Sequence, residues 1–140
     1  MPKGNTMIIW EDRMSTGNAR TDSQHQTLIE KFNELSHVFA GNNTVEIRLA
    51  AGELLDFLQF YAAWHFEQEE ALMDQVHCPI AATNKQAHAS FLANFGEFYT
   101  RWQVSNMDLE MARQTYAVLT DWITNHIMTI DVQLREFVKE

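Results

Sequence analysis

Residues 65–73 read HFEQEEALM, and two ionisable side chains in this stretch decide how the chain is expected to fold. His65 and Glu69 are four residues apart, so on an α-helix they are separated by only ~40° around the axis. The same stripe carries apolar side chains at helical spacing further upstream: Ile47, Ala51, Leu54, Leu58 and Tyr61. Burying an imidazole and a carboxylate on such a face is costly unless each group has a partner. A shared metal ion is an economical partner when several helices each contribute ligands.

Three more histidines and one aspartate belong to further apolar stripes of helical period. His25, His88 and His126 lie on three separate stripes, and Asp131 follows His126 by five residues. Five residues correspond to ~140° on an ideal α-helix, so these two side chains converge only if the helix deforms or if they approach the site from its two flanks. The combined set of imidazoles and carboxylates suits a pair of borderline metals such as iron, manganese or zinc. Because carboxylates can bridge two metals, the pattern favours a dinuclear centre.

The apolar periodicity predicts four long helices in a single domain spanning residues 1–140. Their expected bounds are about 22–40, 44–76, 80–104 and 107–138, after an arm at about 1–20. Asp22 or Ser23 is a candidate N-cap for the first helix, and Thr44 for the second. No stretch shows strand-like alternation, and short connections favour antiparallel neighbours. We therefore expect an all-α protein: an antiparallel up-down-up-down four-helix bundle with an N-terminal arm.

The composition excludes several classes of partner. A net charge of −9 over 140 residues argues against nucleic acid, because phosphate binding requires a basic patch. The apolar runs are short and interrupted by polar residues, so we expect no membrane span. The first residues lack the apolar segment of a signal peptide, and the single cysteine, Cys78, excludes an intrachain disulfide. By default, we expect a cytoplasmic protein.

Three motifs occur in an order that is typical of a known family. DSQHQTL at 22–28 fits Asp-x-Gln-His-x-x-Leu, and HFEQEEALM at 65–73 is similar to His-Phe-x-x-Glu-Glu-x-x-Met. WITNHIMTID at 122–131 is similar to the corresponding fourth-helix motif. In order and context these motifs resemble the hemerythrin family, most closely the single-domain bacterial hemerythrins. The resemblance covers nearly the whole chain.

The resemblance implies a non-haem di-iron centre that binds dioxygen, or another small diatomic ligand, reversibly for storage, delivery or sensing. By motif position, His25 and His65 would hold the iron that takes dioxygen. His88 and His126 would hold the second iron. A bridging oxo or hydroxo group would complete the pair, together with two bridging carboxylates, Glu69 and Asp131.

The resemblance also implies an apolar pocket for the ligand and no catalytic residues. An apolar pocket makes chemical sense, because excluding water and protons slows irreversible oxidation of the metals. The pocket residues would be Leu28, Phe66, Trp122, Ile123 and Ile127. Glu70 lies ~100° from Glu69 around the helix, so we expect it to be solvated or to support a ligand.

Asn84 is the one departure from the family pattern. The family's third-helix motif is His-x-x-x-His, and here it reads NKQAH at 84–88. An amide oxygen is a weak, neutral ligand, so Asn84 is a doubtful ligand: it binds weakly, holds a water molecule or leaves a position open. His77, in the turn before the third helix, is a less favoured replacement.

The departure keeps two alternatives to reversible binding open. An open position on the second iron would suit a di-iron redox enzyme that acts on dioxygen, peroxide or nitric oxide. Alternatively, the lost imidazole would leave the bundle iron-depleted or mononuclear. Consumption of a reductant distinguishes the enzyme from a carrier, and metal analysis distinguishes the depleted bundle from both.

Overall fold

The computed structural model describes residues 7–104 and 108–138, and it is all-α in these ranges. Four helices run Ala19–Phe39 (α1), Thr44–Gln75 (α2), Ala81–Val104 (α3) and Leu109–Thr129 (α4). Two short 3₁₀ segments lie outside them, at Asp12–Met14 and Asp131–Glu136. Each long helix packs against two neighbours, α1 on α2 and α4 and α3 on α2 and α4. The expected four-helix bundle is confirmed.

The buried residues of α3 show why the sequence forms these helices. Its buried side chains follow one another at alternating intervals of four and three residues, which keeps them on one face. They are Asn84, His88, Phe91, Phe95, Phe98 and Trp102. The aromatic members belong to the main hydrophobic core, which fills most of the length of the bundle. A second, small cluster of Met73, Cys78 and Leu134 closes one end.

The helix starts differ from expectation because asparagines provide the caps. Asn18 accepts a hydrogen bond from the backbone N–H of Thr21, so α1 begins at residue 19 instead of 22, and neither Asp22 nor Ser23 is its cap. Asn43, rather than Thr44, caps α2 by accepting from the backbone N–H of Glu46. The bounds of α2 and α3 differ from the expected 44–76 and 80–104 by one residue.

Asp22 has another role, in the connection between the N-terminal arm and α1. Its carboxylate accepts hydrogen bonds from the Ser15 hydroxyl at 2.5 Å and from the Thr16 backbone N–H at 2.8 Å. Gly17 lies between these contacts with a φ of 84°, a left-handed conformation that favours glycine. Ser15 and Thr16 of the predicted arm are therefore held against the start of α1. Residues 1–6 lie outside the described ranges.

The expected fourth helix, 107–138, is wrong after Thr129. The α-helix ends at Thr129, Ile130 has φ −105° and ψ −57°, and the chain continues as a 3₁₀ segment. The side chain of Gln133 donates to the carbonyl of Thr129 at 2.7 Å, which satisfies one of the carbonyls exposed at the helix end. Residues 105–107, which include the expected start of this helix, lie outside the described ranges.

No helix within residues 7–104 and 108–138 combines the length and apolar character that crossing a bilayer requires.

Candidate metal centre

The six predicted ligands come together at one end of the bundle. His25 lies near the start of α1 and His88 near the start of α3, whereas His65 and His126 lie near the ends of α2 and α4. Antiparallel packing brings these four positions to the same level. All six side chains are buried: His25, His65, Glu69, His88, His126 and Asp131.

Two groups of potential ligand atoms share Glu69. The first group comprises His25, His65 and Glu69. Within it, Oε2 of Glu69 lies 3.0 Å from Nε2 of His25 and 3.6 Å from Nε2 of His65. Ligand atoms of the group lie within 4.8 Å of one another, close enough to surround one cation.

The second group comprises Glu69, His88, His126 and Asp131. Oε1 of Glu69 lies 3.2 Å from Nε2 of His88. Nε2 of His126 lies 3.2 Å from Oδ1 of Asp131 and 3.1 Å from Nε2 of His88. Here too the ligand atoms lie within 4.8 Å of one another.

The two carboxylates divide their oxygens between the pairs of imidazoles. Glu69 directs Oε2 to His25 and Oε1 to His88. Asp131 directs Oδ2 to His25, at 3.1 Å, and Oδ1 to His126. This division is the arrangement that bridging carboxylates require.

The break at Ile130 brings Asp131 into the centre. In a 3₁₀ segment, residues three apart lie on the same side, and Asp131 and Leu134 are both buried. The five-residue spacing from His126, awkward on a continuous α-helix, is thus accommodated by a local change of helix type. This is the local deformation that the sequence leaves as one of two possibilities.

Arg135 ties the 3₁₀ segment to the arm. Its guanidinium donates to the carbonyl oxygen of Ser15 at 2.5 and 3.0 Å, and to that of Arg13 at 2.9 Å. These bonds join the segment that carries Asp131 to the chain preceding α1. An exposed arginine outside the cluster therefore helps to hold one of its carboxylates in place.

Replacing Arg135 by methionine is expected to weaken metal binding by up to roughly tenfold, because Asp131 is then less firmly positioned. Chelator competition on purified protein measures the change. Arg113→Met is the matched control, since Arg113 donates to the carbonyl of Phe39 at 2.6 Å, near the other end of the bundle. Equal affinities in the two variants would contradict the positioning role.

Two imidazoles are oriented by side chains that the sequence does not mark as ligands. Nδ1 of His65 lies 2.6 Å from Oε1 of Gln24, and Nδ1 of His88 lies 2.8 Å from Oε2 of Glu70. Both contacts leave Nε2 facing the cluster, and a partner on the other nitrogen is typical of metal-binding histidines. Glu70 contacts the His88 imidazole and is only partly buried. The role of Gln24 was missed, although it lies directly before His25 within the first motif.

Glu70→Ala is expected to weaken binding at the second group by roughly 10- to 100-fold, because His88 loses the acceptor that orients its ring. Metal content after dialysis against a weak chelator measures this loss. Glu67→Ala, an exposed glutamate on the same helix, removes the same charge without touching an imidazole. If both variants retain metal equally, the contact between Glu70 and His88 contributes nothing to binding.

The carboxylates control the charge of the imidazoles around them. Burial by itself lowers the pKa of His25, but hydrogen bonds to Asp131 and Glu69 outweigh it and raise the pKa to about 10. The pKa of His88 is raised against burial in the same way, chiefly by Glu69, whereas burial prevails in His65 and lowers its pKa. Burial opposes ionisation of Glu69, yet the surrounding imidazoles hold its pKa well below its usual range. A cation would bind here in competition with protons.

The donor set fits a divalent or trivalent cation. Oδ1 of Asp131 is buried and lies 3.2 Å from Nε2 of His126, but it makes no well-aligned hydrogen bond to any described residue. Nε2 of His88 faces Nε2 of His126, and a hydrogen bond between two such nitrogens uses the lone pair of only one of them. A cation between these atoms accepts electron pairs from every one of them. Imidazole and carboxylate donors together suit iron, manganese or zinc.

Asn84 is fully buried beside the second group. Its Nδ2 donates to Oε1 of Glu69 at 3.0 Å, and its Oδ1 lies 2.7 Å from Nε2 of His126. The departure from the family motif therefore faces the cluster directly. His77 is exposed in the α2–α3 turn, with a φ of 56°, and belongs to neither group.

Two of the five predicted pocket residues contact imidazoles of the centre. Phe66 stacks on His88 with centroids 3.8 Å apart, and Trp122 stacks on His126 at 4.5 Å. Both aromatic rings therefore contact the second pair of imidazoles. Phe66 and the three aliphatic members are buried in the main core, and Trp122 is partly buried against it; the aliphatic members are Leu28, Ile123 and Ile127.

The bundle and its buried cluster together define a class: four-helix proteins with a candidate metal centre enclosed between the helices. Residues 16–136 match the family model described as the hemerythrin HHE cation binding domain. The chain belongs to the hemerythrin family, which confirms the resemblance seen in its motifs. This membership supports a non-haem iron protein that binds oxygen.

Several relatives support the assignment. The chain is 29% identical to a bacteriohemerythrin of Stenotrophomonas maltophilia, covering 95% of this chain and 82% of the relative. It is 23% identical to a hemerythrin of Sipunculus nudus, covering 94% and 93% of the two chains. A crystal structure of a leucine-to-phenylalanine mutant superimposes with a TM-score of 0.80 at 23% identity, over 95% of this chain and 97% of that one. The structural likeness bears on the fold alone.

Proposed function

We propose that this chain binds dioxygen reversibly at a di-iron centre, in storage, delivery or sensing. The observation that carries the proposal is the division of the Glu69 and Asp131 oxygens between two pairs of buried imidazoles. One cation would need only one oxygen of each carboxylate. Two cations, one near each pair, would use both oxygens of each. An oxo or hydroxo bridge would complete the pair, as in the family pattern.

In this proposal the ligands are distributed as the motifs imply. His25 and His65 would hold the first iron and His88 and His126 the second, and two carboxylates would be shared between them, Glu69 and Asp131. The bound irons supply the redox chemistry that dioxygen binding requires. The remaining side chains orient the imidazoles and exclude water. Phe66 and Trp122 contribute most to the exclusion of water, because they cover the faces of two imidazoles. A centre without water resists irreversible oxidation.

The test measures iron per chain together with the visible spectrum through a cycle of dioxygen exposure and removal. Reduced, iron-loaded protein should change its spectrum on exposure and return to the starting spectrum when dioxygen is removed. The same sample is then supplied with excess reductant under air. Continuous consumption of reductant would identify a redox enzyme, and one iron or fewer per chain would identify a depleted bundle; either result contradicts reversible di-iron binding.

A further inference from the structure

Asn84 has a defined orientation at the centre. Its amide nitrogen donates to Oε1 of Glu69 at 3.0 Å and to Sδ of Met73 at 3.2 Å. A carboxylate and a thioether can only accept, so the amino group of Asn84 must face them. The amide oxygen consequently faces the other way, towards Nε2 of His126 at 2.7 Å.

A cation near His126 would leave this oxygen without its present donor. Nε2 of His126 donates to Oδ1 of Asn84 only while it carries a proton. A cation bound by the lone pairs of His126 and His88 takes the place of that proton. The buried amide oxygen then needs a new electropositive partner, and the same cation is the group it faces.

We propose that Asn84 is an oxygen ligand of the second metal position, which therefore accepts manganese(II) better than the first position does. This inference rests on the proposed two-metal centre. Around the first position the protein offers two nitrogens, from His25 and His65, and two carboxylate oxygens. Around the second it offers two nitrogens and three oxygens, one of them the neutral amide of Asn84.

The donor sets explain why the two metal positions differ in their preference for manganese(II). Carboxylate and carbonyl oxygens suit manganese, whereas imidazoles favour iron, zinc and copper. An amide oxygen carries no charge and binds less strongly than the imidazole that the family motif places here. The second position is thus richer in oxygen than the first and more weakly held than it would be with a histidine.

The experiment titrates metal-free protein anaerobically with manganese(II), with the free ion followed by electron paramagnetic resonance. Two classes of site are expected, separated by roughly tenfold or more in affinity. Supplying one equivalent of iron(II) with excess manganese(II), followed by gel filtration and metal analysis, should give a mixed centre. Equal affinities, or random mixing of the two metals between the positions, would overturn the inference.

Two variants identify the ligand atom. Asn84→Leu has a similar volume and no donor, so it should lose the tighter manganese(II) class, which belongs to the second position, and keep the other. Asn84→Asp offers a charged oxygen, so it should tighten manganese(II) at the second position by roughly tenfold. If the amide served only to donate to Glu69, the aspartate would repel that carboxylate and weaken both classes, which would overturn the proposal. If the leucine variant fails to fold, the aspartate result decides.

Asn94→Leu and Asn94→Asp are matched controls, because Asn94 is exposed on the same helix. Both should titrate like the unchanged protein. The titrations use no dioxygen, so the two proposals fail separately. Unequal metal positions without reversible dioxygen binding would refute the proposed function alone. Reversible binding with two equal positions, or with an unaffected Asn84→Leu variant, would refute the role of Asn84 alone.

Discussion

Glu69→Gln is expected to release metal from both positions, with affinity falling by more than roughly 100-fold, the upper range for residues that merely support ligands. The carboxylate of Glu69 is shared, with Oε2 beside His25 and Oε1 beside His88. Glutamine has nearly the same shape but offers one neutral oxygen, so it cannot serve two cations as a charged bridge. Metal content per chain and the visible spectrum of the iron-loaded protein report the loss.

Glu67→Gln is the control for this variant. Glu67 is exposed on the same helix, so its replacement removes the same charge and leaves the centre untouched. Glu69→Gln should therefore be poor in metal while Glu67→Gln matches the unchanged protein. If only one metal is lost from Glu69→Gln, the carboxylate is a terminal ligand of one position and the bridging role is wrong.

Helical periodicity was sufficient to predict the bundle. Long apolar stripes with few glycines and prolines in them define helices by spacing alone, and the interval between His65 and Glu69 sets their common face. The antiparallel order then brings four distant histidines to one level. The helix positions depend on local spacing, and the antiparallel order follows from the short connections. Both can therefore be predicted from the sequence.

Helix caps and the end of α4 could not be read in the same way. Asn18 and Asn43 compete with neighbouring residues of similar capping preference, and only the path of the chain decides between them. The apolar spacing also continues past Ile130, so periodicity predicts one helix where the structure has a break. The five-residue interval to Asp131 was the only local signal of that break.

The remaining features of the site depend on contacts between helices, which the sequence does not reveal. Gln24 and Glu70 reach imidazoles on other helices, across 41 and 18 positions of sequence, and no spacing rule connects such pairs. The departure at Asn84 was visible from the family motif. The direction of its amide depends on Met73 and Glu69, which are brought beside it only by the packing of α2 on α3.

Removing the metal is expected to lower the melting temperature clearly while the bundle remains folded. A ligand present at 100 times its Kd stabilises the folded state by about 2.7 kcal/mol, which corresponds to roughly 10 °C in a domain of this size. In the metal-free protein, ion pairs such as His25–Glu69 compensate part of the buried charge, and the main hydrophobic core is unchanged. The loss is therefore partial. Differential scanning calorimetry before and after chelation under reducing conditions gives the shift.

The segments in which stability is lost on metal removal provide a sharper test than the size of the shift in melting temperature. All six candidate ligands lie near the starts of α1 and α3 and the ends of α2 and α4, with Asp131 just beyond α4. Amide hydrogen exchange should therefore quicken on metal removal in these segments and in the 3₁₀ segment of Asp131, because local opening follows the loss of local stabilisation. The opposite end of the bundle, where Phe39, Trp102 and Tyr116 pack together, should keep its protection. An unchanged melting curve in iron-free protein, or an exchange increase spread evenly along the helices, would show that the cluster does not depend on metal for its stability.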